Sequence, residues 1–265
     1  MVNATKSIGR LDYLIALSLA AAISVCGCRE EGSSIATANK SEISLEAANT
    51  PEQAVANIKK LGGAVGFDRR KSDRPAIAVS FSRTNITDAG LVHLKELTNI
   101  ETLYIWGHQV TDAGLVHLKG LTKLQKLSLN RCQLTDAGLV HLKELTNLQV
   151  LALSGTLVTD AGLVHLKGLT KLQRLDVSRS GVVDAGLVHL KGLTELTHLN
   201  LSRSQRCWSN FIPPRIQLTD TGLVHLTALT KLQELNVYWT DVTDDGVNEL
   251  QQALPNCKIF ARRTQ

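Results

Sequence analysis

The chain has 265 residues, 43% of them apolar and 20% charged, and a formal charge of +5. That composition is too apolar for a disordered chain and too mildly basic for a protein organised around nucleic acid. No stretch interleaves basic and aromatic residues as single-strand binders do, so no nucleic-acid partner is expected.

The first element is a leader. Lys6 and Arg10 precede an apolar run from Tyr13 to Val25, shorter than the ~20 residues that a membrane-spanning helix needs and suited to a signal-peptide core. The run closes in Val25-Cys26-Gly27-Cys28, which resembles the lipobox of bacterial lipoproteins, with Gly27 as the small residue before Cys28. The resemblance implies a signal peptide over residues 1–27, lipidation at Cys28 and a chain held on the cell envelope by an acyl anchor. Cleavage after Ala20–Ala22, giving a secreted protein, is the alternative. Residues 28–50, rich in Ser, Ala, Thr and Glu, read as a flexible tether.

Residues 51–86 read as an N-terminal cap. Pro51 to Leu61 is amphipathic through Ala54, Ile58 and Leu61, Gly62-Gly63 ends it, and Ala64 to Phe67 is an edge strand. After a charged turn from Asp68 to Arg74, Ile77 to Phe81 enters as the first strand of a larger sheet, with Val79 and Phe81 inward.

From there the chain repeats itself. The phrase Asp-x-Gly-Leu-Val-His-Leu recurs at Asp88, Asp112, Asp136, Asp160, Asp184 and Asp220, and a degraded copy begins at Asp244. Counted from the preceding residue, the copies start at Thr87, Thr111, Thr135, Thr159, Val183, Thr219 and Thr243. The step is 24 residues except between Val183 and Thr219, where it is 36 and an insertion occupies residues 205–216. Self-similarity of this kind marks a solenoid, in which each copy buries its apolar face only by stacking on its neighbours. Inside the copy at Thr135 the apolar positions are Leu139, Leu142 and Leu145, then Leu148, Leu151 and Leu153. Spacing falls from three to two, so helix precedes strand. Thr135 and Asp136 are expected to serve the first turn of their own helix, and Gly138 to let packed backbones approach. Six such copies over residues 87–242 are followed by a C-terminal cap over residues 243–265, with a helix near Asp245 to Leu254 and a strand from Cys257 to Phe260.

The string Leu-x-x-Leu-x-Leu followed by Thr-Asp-x-Gly-Leu resembles the leucine-rich repeat family in its cysteine-containing form, over about Pro51 to Phe260. The resemblance implies an α/β fold: a right-handed horseshoe with parallel strands on the concave face and helices on the convex face. Where many members of that family place Asn, this chain has Thr84, His108, Cys132, Thr156, Ser180, Ser204 and Thr240; the hydroxyls among them can still satisfy loop backbone groups. Curvature follows independently, because strands sit about 4.7–4.9 Å apart while packed helices need roughly 8–10 Å.

Site residues follow from which positions vary. The helical halves are near-copies, whereas the outward strand positions differ from coil to coil and so carry the binding surface. Tyr104 with Trp106 and Tyr238 with Trp239 form two aromatic groups. Between them lie Lys126, Asn130, Arg174, Asp176, His198, Asn200 and Glu234, with Arg131, Arg179 and Arg203 as a basic rim. Trp, Tyr and Arg are common anchors of protein interfaces. The insertion adds Trp208 and Phe211, apolar for a loop, and long loops in compact arrays are often functional. The expected function is a non-catalytic protein–protein interaction module on the envelope, working as a monomer; a passive spacer is the alternative. A more remote reading is a hydrolase using His198, Asp176 and Ser202, but these project from an open surface with neither an oxyanion site nor a water-excluding pocket.

No cofactor or metal is expected. The column His93, His117, His141, His165, His189 and His225 invites a metal, but its members are separated by the helix spacing of roughly 8–10 Å, while zinc needs its ligands within about 2.0–2.1 Å. With Lys95, Lys119, Lys143, Lys167 and Lys191 nearby, protonation below about pH 6.5 should weaken the fold and strengthen binding to anionic surfaces. Beyond the leader, Cys132, Cys207 and Cys257 close no disulfide framework; Cys132 and Cys257 read as buried, and Cys207 as the one able to react or pair.

Overall fold

The computed structural model describes residues 50–82, 84–203 and 218–261, all within one compact unit, Leu45–Gln265. Cys28 and the leader, Cys207, Trp208, Phe211 and the insertion lie outside the described residues.

Among the described residues nine strands form one sheet in strict chain order. They are β1 (Ala64–Phe67), β2 (Ala76–Phe81), β3 (Thr102–Trp106), β4 (Lys126–Asn130), β5 (Val150–Ala152), β6 (Arg174–Asp176), β7 (His198–Asn200), β8 (Glu234–Asn236) and β9 (Lys258–Phe260). β1 pairs with β2 antiparallel, and every later pair is parallel. The register is that of the repeat: Leu127 faces Leu151, which faces Leu175, which faces Leu199. Beyond the insertion Leu199 faces Leu235 in the same register.

β3, β4, β6, β7 and β8 alternate one buried and one outward side chain, as the pleat requires, whereas on β5 Ala152 is buried as well as Leu151. In β4 Leu127 and Leu129 are buried while Lys126, Ser128 and Asn130 face out. The inward leucines meet those of the helical halves in one continuous core that runs from Ala54 and Ile58 to Leu254 and Cys257. At the N-terminal end Thr50 caps the helix Pro51–Lys60 by accepting from the Gln53 N–H at 3.2 Å. That helix buries Ala54 and Ile58, and Gly63 lies so close to Ile58 and Phe81 that no side chain fits there. The helix Asp244–Ala253 and β9 close the other end of the described stack.

The helical halves are shorter and tighter than the spacing predicts. Asp112–Leu115, Asp136–Leu139, Asp160–Leu163, Asp184–Leu187 and Asp220–Leu223 are single α-helical turns, each continued by a 3-10 turn through Val-His-Leu. Asp88–Glu96 is 3-10 throughout. Three residues per turn wind a slimmer cylinder than 3.6, which lets the helical segments stand closer together over strands spaced about 4.8 Å apart.

The conserved-looking Thr-Asp-x-Gly string works between coils. Each Thr begins the helical turn, and in Thr111, Thr135 and Thr219 the hydroxyl accepts from the N–H two residues on at 3.3 Å. The Asp does not cap its own helix, contrary to expectation. Asp88, Asp112, Asp136, Asp184 and Asp220 each accept the backbone N–H of the Thr that opens the next coil, at 2.7–2.9 Å. The hydroxyl of that same Thr donates to the second carboxylate oxygen at 2.6 Å. The Gly of the next coil leaves the room this needs: a Cβ on Gly114, Gly138, Gly162, Gly186 or Gly222 would overlap the Oδ1 of the preceding Asp.

Asp160 is the exception, because Val183 stands where the others find Thr. It keeps the Val183 N–H at 2.7 Å but has no hydroxyl to meet. Burial pushes its carboxyl up, against the lowering effect of the Val183 and Gly186 N–H groups.

The histidines occupy half-buried or buried places beside the exposed valines, among them Val116, Val140, Val164, Val188 and Val224. Nδ1 of His93, His117 and His225 is buried with no hydrogen-bond partner among the described residues. Burial pushes His93, His117 and His189 down; Lys95 adds to this at His117 and Lys167 at His189, while Asp88 and Asp160 oppose. A base whose folded pKa lies below its unfolded value of about 6.5 gives stability that is present above that pH and lost as pH falls through the folded value. The melting temperature is therefore expected to be lower at pH 5.5 than at pH 7.5, and an unchanged melting temperature across that range would refute the assignment.

Candidate functional site

The open face of the sheet is assembled from alternate strand residues, and the structure sorts the predicted ones into three groups. The first is aromatic. Trp106, at the end of β3, is 48% exposed, and Tyr238 and Trp239, just past β8, are 43% and 39% exposed. Tyr104 is half-buried beside Trp106. The two aromatic groups stand five strands apart, roughly 24 Å at the usual strand spacing.

The second group is basic. Arg174 is exposed on β6 and Lys126 half-buried on β4, in matching register either side of Val150. Arg131, Arg179, Arg203 and Trp239 share the position just beyond the strand, where the coil turns back. The backbone N–H groups of the three arginines donate to the next coil: Arg131 to the Ser154 carbonyl at 2.8 Å, Arg179 to that of Ser202 at 2.9 Å and Arg203 to that of Tyr238 at 2.8 Å. Arg131 (φ 58°), Arg179 (φ 55°) and Trp239 (φ 62°) adopt the left-handed conformation there, which glycine fills at the equivalent Gly155 (φ 70°) and which is costly for a residue with a Cβ. The Arg131 guanidinium lies over the Trp106 ring at 5.5 Å from its centroid, within cation–π range. Arg203 is drawn toward the body, its Nη2 donating to the Val182 carbonyl at 3.2 Å.

The third group is polar and largely occupied. Asn130 Oδ1 accepts the Ser154 N–H at 2.9 Å, Asp176 Oδ1 that of Ser178 at 2.9 Å, and Asn200 Oδ1 that of Ser202 at 3.1 Å. Asn236 does the same for Tyr238 at 3.0 Å. These strands are three to five residues long, so the chain leaving them needs acceptors that side chains provide. Burial pushes the Asp176 carboxyl up, against hydrogen bonds from Ser178 and Asn200 and the charge of Arg179. The hydroxyls at the expected Asn position also work within the frame: Thr156 donates to the Leu153 carbonyl at 2.7 Å and Thr240 to that of Val237 at 2.7 Å.

His198 stands near Glu234 at 3.8 Å through Nε2, and its Nδ1 is 2.8 Å from the Thr197 hydroxyl. Burial and Arg174 push its pKa down, and Glu234 opposes them. Its ring nitrogens thus face Thr197 and Glu234, while Asp176 Oδ1 accepts the Ser178 N–H and Ser202 donates its N–H to Asn200; this is not the chain of hydrogen bonds that a nucleophile, base and orienting acid require. Cys132 and Cys257 are buried, and burial pushes their thiols up to about 12 and about 11. Neither has the depressed pKa of a reactive cysteine. Among the described residues no cluster of His, Cys, Asp and Glu could hold a metal ion, and no helix is long and apolar enough to cross a membrane.

Two features escaped the sequence reading. Thr84, Asn85, Gly107, His108 and Gln109 form with Trp106 and Arg131 a shallow open depression at one end of the face. The left-handed turn was also recognisable in principle, since Gly107 and Gly155 occupy the same repeat position as Arg131 and Arg179.

Comparison with known proteins adds the following. A leucine rich repeat family model matches residues 120–143 and 228–250. No curated protein matches the chain. Among solved structures, internalin C2 of Listeria monocytogenes is similar with a TM-score of 0.50 and 23% identity, over 82% of this chain and 95% of that one. An internalin F of the same organism has a TM-score of 0.46 and 20% identity, over 82% of this chain and 64% of that one.

Proposed function

Because this chain belongs to the leucine-rich repeat family, whose fold sets variable side chains on a constant frame, we propose that it is a non-catalytic protein-binding module that receives its partner on the open face of the sheet. One observation carries the reading: the exposed aromatic and arginine side chains stand on that face and its rim, with Trp106, Tyr238 and Trp239 at its two ends. Large apolar side chains exposed in such a pattern cost solubility and are characteristic of interface anchors. We assign the insertion at residues 205–216, with its Trp208 and Phe211, to the same binding role. The module works as a monomer on the cell envelope, anchored through Cys28.

Capture from an envelope extract tests the binding reading. The full chain retains a specific partner, and Trp106→Ala combined with Tyr238→Ala lowers that retention at least tenfold without changing the melting temperature by more than a few degrees. Equal retention by the double variant sinks the proposal, and no partner at all favours the spacer. Mass spectrometry of the native N-terminus tests the anchor: an acylated Cys28 is expected, and an unmodified N-terminus after Ala20–Ala22 means a secreted protein.

A further inference from the structure

The cations of the open face stand in pairs two strands apart. Arg131 and Arg179 follow β4 and β6 at the same repeat position, and Lys126 and Arg174 share one register on those same strands. Between them β5 carries no charged side chain on the open face: Val150 is half-buried and Ala152 is 7% exposed, and just beyond it Ser154 is hydrogen-bonded to Asn130 and to the Ser178 hydroxyl. The two rows of cations thus flank a low floor. The acid within this patch is Asp176, whose oxygens serve Ser178 and Asn200. Glu234 lies two strands further on, against His198. The centre of the face is therefore positive.

The backbone supplies a second reason to regard the arginines as functional. Gly155 meets the left-handed turn at no steric cost, yet Arg131 and Arg179 hold φ of 58° and 55° at that same position. Side chains kept where glycine would be more comfortable are a mark of function selected against stability.

Resting on the binding reading above, we infer that the partner presents an acidic, extended segment that crosses the strands over β5, its carboxylates meeting Arg131, Arg179 and Arg174. Two strand spacings are about 9.5 Å. In a polyproline II segment, residues three apart lie on one face and are separated by about 9.3 Å. Carboxylates at every third residue fit the paired arginines; contiguous carboxylates do not. The exposed ring of Trp106, braced by Arg131, lies beside this track to receive an apolar neighbour.

The experiment is fluorescence anisotropy on the full chain with a labelled twelve-residue Ala/Pro peptide bearing Glu at every third position. Its counterpart has the same composition with the glutamates contiguous. The spaced peptide is expected to bind at least fivefold more tightly than the contiguous one, and more weakly as salt rises. Arg131→Gly with Arg179→Gly is expected to lose at least tenfold in affinity while its melting temperature rises. The corresponding double Lys variant, which keeps the charges, holds within about threefold of the parent, a small change beside the decade that 1.4 kcal/mol represents. Absence of binding by the spaced peptide, equal affinity in the double Gly variant, or tighter binding of a twelve-nucleotide oligothymidylate each overturns the inference. If the extract partner still depends on Trp106 and Tyr238 but ignores both arginines, only the acidic partner falls and the binding module stands.

Discussion

Gly138→Ala is expected to cost about 3–5 kcal/mol, lowering the melting temperature by on the order of 10 °C. The reason lies in the preceding coil. A Cβ at that position overlaps Asp112 Oδ1 and comes within 3.3 Å of the Asp112 Cα, so the carboxylate must swing aside and the backbone give by a few tenths of an ångström. With the carboxylate go its bonds to the Thr135 N–H at 2.9 Å and the Thr135 hydroxyl at 2.6 Å. Gly192→Ala is the control, because a Cβ there meets nothing within 4 Å. Restricting the unfolded chain should make it neutral or stabilising by up to about 1 kcal/mol. Thermal melts of the two variants side by side decide the matter; equal effects would show that the glycines matter through chain flexibility alone.

Asp136→Ala is expected to cost about 3 kcal/mol, since it removes two hydrogen bonds to an ionised acceptor and leaves their donors partly shielded from water. Its partners are the Thr159 N–H at 2.7 Å and the Thr159 hydroxyl at 2.6 Å. The same substitution at Asp160 should cost less, because Val183 offers that carboxylate an N–H and no hydroxyl. Val183→Thr supplies the missing donor with nearly the same volume and should stabilise by about 1 kcal/mol. Burial raises the Asp160 pKa and the new hydroxyl lowers it, so the gain is full near neutral pH and fades as pH falls through the carboxylate range. Denaturant melts of the three variants test the set, and a destabilised Val183→Thr would refute the account of this junction.

The frame was legible in the sequence because its cause is periodic. Leucines at a fixed step announce a stacked core, and Leu127, Leu151, Leu175 and Leu199 do line up in one register. The cap elements around Ile58 and Phe81 were visible for the same reason, as apolar patterning with turn residues between. What the sequence concealed is contact across the period. Nothing within one copy tells that Asp136 serves Thr159 rather than its own helix, since both positions recur in every coil. The 3-10 continuation of each helical turn is likewise set by the spacing of neighbours, which propensity does not contain.

For the site, exposure was readable and commitment was not. Trp106, Arg174 and Tyr238 are outward as alternation along the chain implies, and Trp239 is exposed at the turn beyond. Asn130, Asp176 and Asn200 share that outward register, yet their oxygens answer backbone N–H groups at the strand ends. Strand length decides this, and alternation alone does not reveal where a strand stops.

The long step between Val183 and Thr219 leaves the junction intact: Thr219 meets Asp184 through its N–H at 2.8 Å and its hydroxyl at 2.6 Å, as the regular coils do. Extra chain at that place costs the frame neither a rung nor a change of pitch. The array therefore behaves like shelving with one bracket made longer, and foreign sequence of comparable length could be spliced there without its neighbours being redesigned.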